Sequence, residues 1–277
     1  MTKPIERPLP PRAYVAFDDT DTLTADRGTG KLARWFGDRL PEDVALWGVV
    51  RVQLPVLPGI PFTSHNSAAV VVLERTSQSF GAQRDGAPAW ERELIDELVL
   101  RARQHVEELA LPGSDPGVCV AWDGCPALAP LMEFGQRAAV AVVDQAQAKA
   151  AAARAHLSGH GGTCDGIIGA AAGVGLVSGG WGGRLIEYRW NGLGLRDVPD
   201  PVSVAELHAA GIRVVALDRD APLPAPHHRI HHGNWLRPRF WAGRPVLPVL
   251  RHTAGNDDAW VIVGPRSRGT TRPTLEE

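Results

Sequence analysis

Hydrophobic positions along this chain fall into two kinds of pattern. The runs "YVAF" (14–17), "WGVVRVQL" (47–54), "AAVVVLE" (68–74) and "GVCVAWD" (117–123) read as short strands, the second and third through their valines. Between 90 and 109, Leu94, Ile95, Leu98, Val99, Val106 and Leu109 recur among charges at i, i+3, i+4, which predicts an amphipathic helix. Residues 30–40 repeat that pattern on a smaller scale with Leu32, Trp35, Phe36 and Leu40. Alanine-rich 136–157 predicts a second long helix. The glycine-loaded "IIGAAAGVGLVSGGWGG" that follows is too short to span a bilayer and predicts a tight loop or packed turn. "LIEYRW", "IRVVALD" and "AWVIVG" read as later strands, while Ser203 with Glu206 forms a capping-box signature that Gly211 is placed to close. Helices and strands mixed throughout, with no repeat at solenoid periods, predict an α/β or α+β fold.

Composition narrows this picture. The 277 residues, 44% of them hydrophobic, suffice for one large domain or two ordinary ones. Proline and glycine become dense beyond the "LIEYRW" run, so the expected organisation is a loose arm (1–12), a main domain (13–190), a smaller β-rich unit (191–265) and a polar tail (266–277). The 29 Lys+Arg against 31 Asp+Glu argue against a dedicated nucleic-acid binder. Three scattered cysteines form neither a disulfide framework nor a paired zinc motif, which points to a reducing cytoplasm. The charged, proline-rich N-terminus lacks a signal peptide's apolar core, and no membrane partner is expected.

The chemistry concentrates in "FDDTDTLTADRGTGKLA". A strand delivers Asp18, Asp19 and Asp21 into a hydroxyl-rich loop that closes with Gly28, Thr29, Gly30 and Lys31 before a helix. The Walker pattern fails twice, at Ala25 and Leu32. A glycine turn entering a helix nevertheless offers backbone N–H groups to an anion. Three carboxylates beside it would repel a phosphate unless a cation such as Mg²⁺ lay between, since Mg²⁺ binds through one or two carboxylates plus phosphate oxygens and waters. The competing reading is ordinary turn capping by Asp and Thr. A second polar loop, "PVLPGIPFTSHNS", carries His65 and Asn66, and the glycine-rich hinge "SGHGGTCDGIIGA" carries His160. Both histidines are candidates to contact an anionic ligand, or equally to hydrogen-bond within their loops. His227, His228, His231 and His232 would align pairwise for a metal on a helix, but the flanking prolines and Gly233 favour an extended loop. "NWLRPRFWAGR" reads as a packed cap with cation–π contacts in preference to a substrate wall.

Together these motifs resemble the archaeal isoleucine-tRNA agmatinylcytidine synthetases (TiaS), which spend ATP to join agmatine to a tRNA cytidine. The resemblance rests on "FDDTDTLTADRGTGKLA", "GIPFTSHNSAAVVV", "DPGVCVAW", and "DGIIGAAAGVG" with "LIEYR", in that order, over about 13–190. It implies a kinase-like nucleotide-binding domain interrupted by an insertion near 80–157, followed by a ferredoxin-like unit. It gives Asp18, Asp19 and Asp21 the metal-holding role for ATP, and makes Thr29 the candidate phosphoacceptor, beside Lys31 and Asp19 at the reacting centre. Gly28, Gly30, His65, Asn66, Gly166 and Gly169 would line the nucleotide site. The chain departs from the family at Thr163, Cys164 and Asp165, where a basic loop is expected, and shows no OB-fold or zinc-ribbon signature. The resulting expectation is an ATP- and Mg²⁺-dependent phosphoryl-transfer or ligase-type enzyme acting on a small molecule, with an amine among the candidates, and without direct tRNA binding. The alternatives are a non-catalytic nucleotide-binding homologue, or RNA modification in trans with a partner.

Overall fold

The computed structural model describes residues 9–58, 60, 66–76, 90–188, 193–233, 235–252 and 259–263. The predicted His65 and the tail beyond 263 lie outside these residues.

One mixed sheet of 12 strands organises the described chain. Its first half comprises β1 (Arg12–Asp18), β2 (Val44–Gln53), β3 (Ser67–Arg75), β4 (Gly117–Trp122), β5 (His156–Gly159) and β6 (Trp181–Tyr188), in the order β5-β4-β1-β3-β2-β6, all neighbours antiparallel. It continues through β10 (Arg239–Trp241), β11 (Arg244–Arg251), β12 (Ala259–Ile262), β9 (Arg229–His231) and β7 (Val202–Ser203), while β8 (Arg213–Ala216) pairs in parallel with β11. This is the mixed α/β arrangement the hydrophobic pattern predicts. The short strand β1 shows why its run is continuous: Ala13, Val15 and Phe17 enter one apolar cluster, while Tyr14 and Ala16 enter another. Alternate residues of a strand face opposite sides of a sheet, so both faces of β1 are covered.

Two helices, α1 (Thr29–Phe36) and α2 (Arg92–Leu109), cover the Phe17 face. Leu32 and Phe36 of α1 and Leu98 of α2 are almost fully buried there, each stabilising by about 1.5–3 kcal/mol. Within this layer His105 donates from Nε2 to the Leu32 carbonyl at 2.9 Å, between the rings of Phe17 and Phe36.

The other face is covered by α3 (Leu128–Ala138) and α5 (Gly166–Ser178), and here two expectations are overturned. The stretch 136–157 is not one helix: it holds the end of α3, a separate α4 (Gln145–Ala151) and strand β5. Asp144 restarts the helix by accepting the Gln147 N–H, and Gln147 returns a bond to the Asp144 N–H. The capping box is present in the sequence, but the alanine content of its surroundings masks it. The glycine-loaded stretch, expected as a loop, is the buried helix α5. Its glycines cost helix propensity but allow close approach. A Cβ on Gly175 would stand 1.9 Å from the Leu131 carbonyl oxygen, and one on Gly135 would stand 2.9 Å from the Ala172 oxygen. Tertiary packing thus overrides local propensity.

The strands expected at "IRVVALD" and "AWVIVG" are β8 and β12. Helix α6 (Val204–Ala209) opens on the Ser203–Glu206 capping box, and the chain reverses at Gly211 with φ +78°. Residues 227–232 are largely extended, with 229–231 forming β9. Among the described residues no three His, Cys, Asp or Glu side chains gather into a metal-holding group.

Candidate functional site

Strand β1 is wedged between β3 and β4, so its C-terminal end is a fixed platform. Asp18 ends the strand, and Asp19 turns the chain with φ +50°, a left-handed conformation that aspartate tolerates better than most residues. The turn is pinned from outside: the Asp19 carbonyl accepts the Asp115 N–H at 3.1 Å, and the Thr20 carbonyl accepts the Leu111 N–H at 3.1 Å. Thr20 also donates from Oγ1 to Thr29 Oγ1 at 3.1 Å, tying the acidic turn to the first residue of α1.

These elements open onto a cavity of about 1030 Å³. Of the predicted residues, Asp18, Asp19, Asp21, Gly28, Thr29, Gly30, Lys31, Asn66, Gly166 and Gly169 all line it. The strand end and the helix α5, far apart in the chain, therefore share one site.

Two glycines seat the carboxylates. A Cβ on Gly169 would lie 1.6 Å from Asp18 Oδ2, and one on Gly28 would lie 2.9 Å from Asp21 Oδ2. Charge crowding follows. Burial, and then the charge of Asp19, raise Asp18 from 3.8 to about 7, against a backbone hydrogen bond from Asp19 that lowers it. Burial, then Asp115, Asp21 and Asp165, raise Asp19 to about 6. A divalent cation among them would reverse both effects. Among the described residues these carboxylates do not form a ready-made three-ligand cluster, and Mg²⁺ is an ion that needs only one or two protein carboxylates, with phosphate oxygens and waters completing its shell.

The two glycine-rich helix starts differ. At α1, Gly28 supplies no side-chain cap, and Thr29 and Gly30 have N–H groups for which no acceptor is found among the described residues. These amides are available to an anion. At α5 the loop is already filled: the Asp115 carboxylate accepts from the N–H groups of Thr163, Cys164 and Asp165 and from Thr163 Oγ1. Thr163, Cys164 and Asp165 thus hold an internal carboxylate where a basic loop is expected. Gly166 serves packing as well, since a Cβ there would stand 2.6 Å from the Gly117 nitrogen.

His160, a sequence candidate for an anionic ligand, turns away from the cavity, with Nε2 2.7 Å from Ser158 Oγ and Nδ1 3.3 Å from Glu107. Asn66 donates to the Pro55 carbonyl at 2.7 Å and braces its loop. Trp235 stands in the cavity wall with Arg196, 4.2 Å from its ring centroid, so the packed-cap reading of that segment is incomplete. Sequence reasoning misses Arg51, Arg184 and Arg196, which line the same cavity from β2, β6 and the loop after it. No local motif marks them, because strand pairing joins Arg51 to Arg184 and the loop after β6 returns Arg196 to the same cavity.

No protein-family model and no curated protein matches the chain. Similar solved structures include a complex of TiaS with tRNA and ATP, at 23% identity and TM-score 0.46, covering 59% of this chain and 36% of that one. A complex of TiaS with tRNA, AMPCPP and agmatine gives 21% identity and TM-score 0.46 over 72% of this chain and 44% of that one. A tRNA fluorescent labelling enzyme gives 24% identity and TM-score 0.46 over 59% and 36%. The chain spans less than half the length of each. The likeness lies in the mixed α/β arrangement.

Proposed function

We propose that the protein is an ATP- and Mg²⁺-dependent phosphoryl-transfer or ligase-type enzyme that activates a small molecule. The observation that supports this most directly is the shared cavity, in which a crowded acidic turn lies beside the amides that begin α1, which find no acceptor among the described residues. Acids alone would reject a triphosphate, and amides alone would bind it weakly. Side by side they suit a metal-bound triphosphate.

In this reading one or two of Asp18, Asp19 and Asp21 would hold Mg²⁺ directly and the rest through water, and the ion when bound would neutralise phosphate charge. The N–H groups of Thr29 and Gly30 donate to phosphate oxygens, and Lys31, exposed on the same turn, adds a mobile positive charge. The nucleotide base takes the apolar flank formed by Leu54, Pro55, Val142 and Val143. Thr29 first serves as an acceptor for Thr20, and acting as phosphoacceptor requires its hydroxyl to leave that bond. Positioning and charge neutralisation are what phosphoryl transfer asks of a protein. The kinase-like and ferredoxin-like labels and the cytoplasmic setting belong to the same proposal.

ATP consumption measured with and without Mg²⁺, in wild type and Asp19→Asn, tests it. Metal-dependent turnover that falls at least about 100-fold in the variant is expected. Equal turnover in both proteins removes the aspartates from the reaction. Tight Mg·ATP binding with no turnover across a screen of metabolites would favour a non-catalytic nucleotide binder.

A further inference from the structure

The basic side of the cavity is built by strand register. In the sheet Arg51 of β2 is paired with Arg184 of β6, and Arg184 is paired with Arg239 of β10. Directly opposed residues share a face, so three arginines stand in a row across adjacent strands, an arrangement that destabilises a sheet through like-charge repulsion. Arg196 and Arg237 extend the group, stacking on Trp235 at 4.2 and 4.8 Å from the ring centroid, with Arg184 at 5.4 Å.

Among the described residues the hydrogen-bond partners of Arg51 and Arg196 carry no charge. Arg51 donates to Ser67 Oγ at 3.0 Å and Arg196 to the Ile186 carbonyl at 3.3 Å, both neutral acceptors. Among the described residues no ion pair engages Arg51, Arg184 or Arg196, and the nearest pair on this wall, Arg34 with Glu187, is 3.9 Å apart. Trp235 Nε1 and Arg237 Nε are buried without a hydrogen-bond partner among the described residues. Burial, and then the charges of Arg51, Arg237, Arg239 and Arg196, disfavour the protonated state of Arg184. Asp21 acts favourably on Arg51, and Glu187 and Asp197 on Arg196, but among the described residues none of these acids forms an ion pair with them; a guanidinium stays charged in proteins, so the cluster keeps positive charge to offer an anion.

We propose that Arg51, Arg184 and Arg196, against Trp235, form a subsite for a small oxyanion, the carboxylate or phosphate group of the second substrate. This deepens the proposed function, on which it rests for its view that the nucleotide occupies the acidic side. Mg²⁺ and the α1 amides already answer the triphosphate's charge, leaving the arginine row for a different anion. The planar guanidinium fork suits a carboxylate or phosphate bidentately, whereas an amine co-substrate would be repelled.

The test is calorimetric titration of the full chain with inorganic phosphate and, separately, with citrate, each with and without saturating Mg²⁺ and a non-hydrolysable ATP analogue. Wild type is expected to bind at least one probe, and the stronger of the two indicates whether phosphate or carboxylate is preferred. Arg184→Gln is expected to weaken that binding at least 10-fold, leave affinity for the nucleotide analogue within 3-fold, and raise the melting temperature by relieving repulsion. A parallel loss of nucleotide affinity would assign the arginines to the triphosphate and overturn the proposal. Unchanged probe binding in Arg184→Gln, or a short single-stranded RNA that binds wild type more tightly than either probe and loses affinity in the variant, would also overturn it. If the nucleotide analogue fails to bind wild type, the nucleotide reading fails, and the Arg184 dependence of phosphate and citrate binding still decides this one.

Discussion

Replacing Gly169 by alanine probes whether Asp18 sits at a reacting centre or merely at a strand end. The added methyl would lie 1.6 Å from Asp18 Oδ2 and 2.5 Å from its Cγ, whereas an ordinary contact needs at least 3.4 Å. The carboxylate must therefore swing away by about 2 Å, far beyond the roughly 0.2 Å tolerance of a metal ligand. A misplacement of 1 Å already costs about 100-fold in rate, so Mg²⁺-dependent ATP turnover should fall by at least that factor. Stability should change little: overpacking costs about 1–3 kcal/mol, and alanine in place of a helical glycine returns about 1 kcal/mol. The matched control is Gly173→Ala on the same helix, whose Cβ would press on Val70 Cγ2 at 3.0 Å and Ala68 Cβ at 3.2 Å. It should lower the melting temperature while leaving turnover per folded molecule near wild type. Calorimetry and a coupled ATP assay on all three proteins decide the matter. A folded Gly169→Ala protein that turns over ATP within 3-fold of wild type would refute the role of Asp18.

Other outcomes follow from single side chains. Because Asp18 titrates near 7 when folded and near 3.8 when unfolded, the unfolded state is favoured progressively as pH rises across that window, and the penalty is complete above it. Without metal, Asp18→Asn should therefore match wild type near pH 4 and exceed it in stability by up to about 4 kcal/mol at pH 8; a difference independent of pH in denaturant titrations would contradict the assigned burial. Saturating Mg²⁺ should shrink the pH 8 gap. Arg12 is buried, paired with Glu74 at 3.0 Å, and donates to the Gly243 carbonyl at 2.8 Å, so Arg12→Ala should cost about 3–5 kcal/mol by chemical denaturation. A loss below about 1 kcal/mol would mean water replaces these contacts. Asp115→Ala removes four hydrogen bonds from the loop before α5 and should cost about 2–4 kcal/mol, with faster amide exchange at 163–165 as the local readout.

Legibility in the sequence tracks the range of the interactions involved. The strand at β1, the amphipathic α2 and the Ser203 capping box are set by a continuous apolar run, helical periodicity and contacts three residues apart, and each appears where the chain alone predicts it. The acidic and glycine-rich halves of the opening motif are legible too, because the strand–turn–helix connecting Asp18 to Lys31 is local. The helix at 166–178 escapes a sequence reading because its glycines are poor helix formers in isolation. They are tolerated there because Leu131 and Gly135 of α3 lie close enough to exclude any larger side chain. The break at Asp144 is hidden for a related reason, since alanine favours helix on both sides of it and a cap only decides where one resumes.

By itself the sequence determined the mixed α/β class, the strand at 14–17 and the charge carried by the turn that follows it. Only the tertiary structure decided what faces that turn. Packing of α5 on the sheet carries Gly169 against Asp18, antiparallel pairing lines Arg51 up with Arg184, and the loop before β10 brings Trp235 into the wall of the same cavity. Register between distant strands follows from burying both faces of the sheet at once, a global condition that no window of neighbouring residues contains.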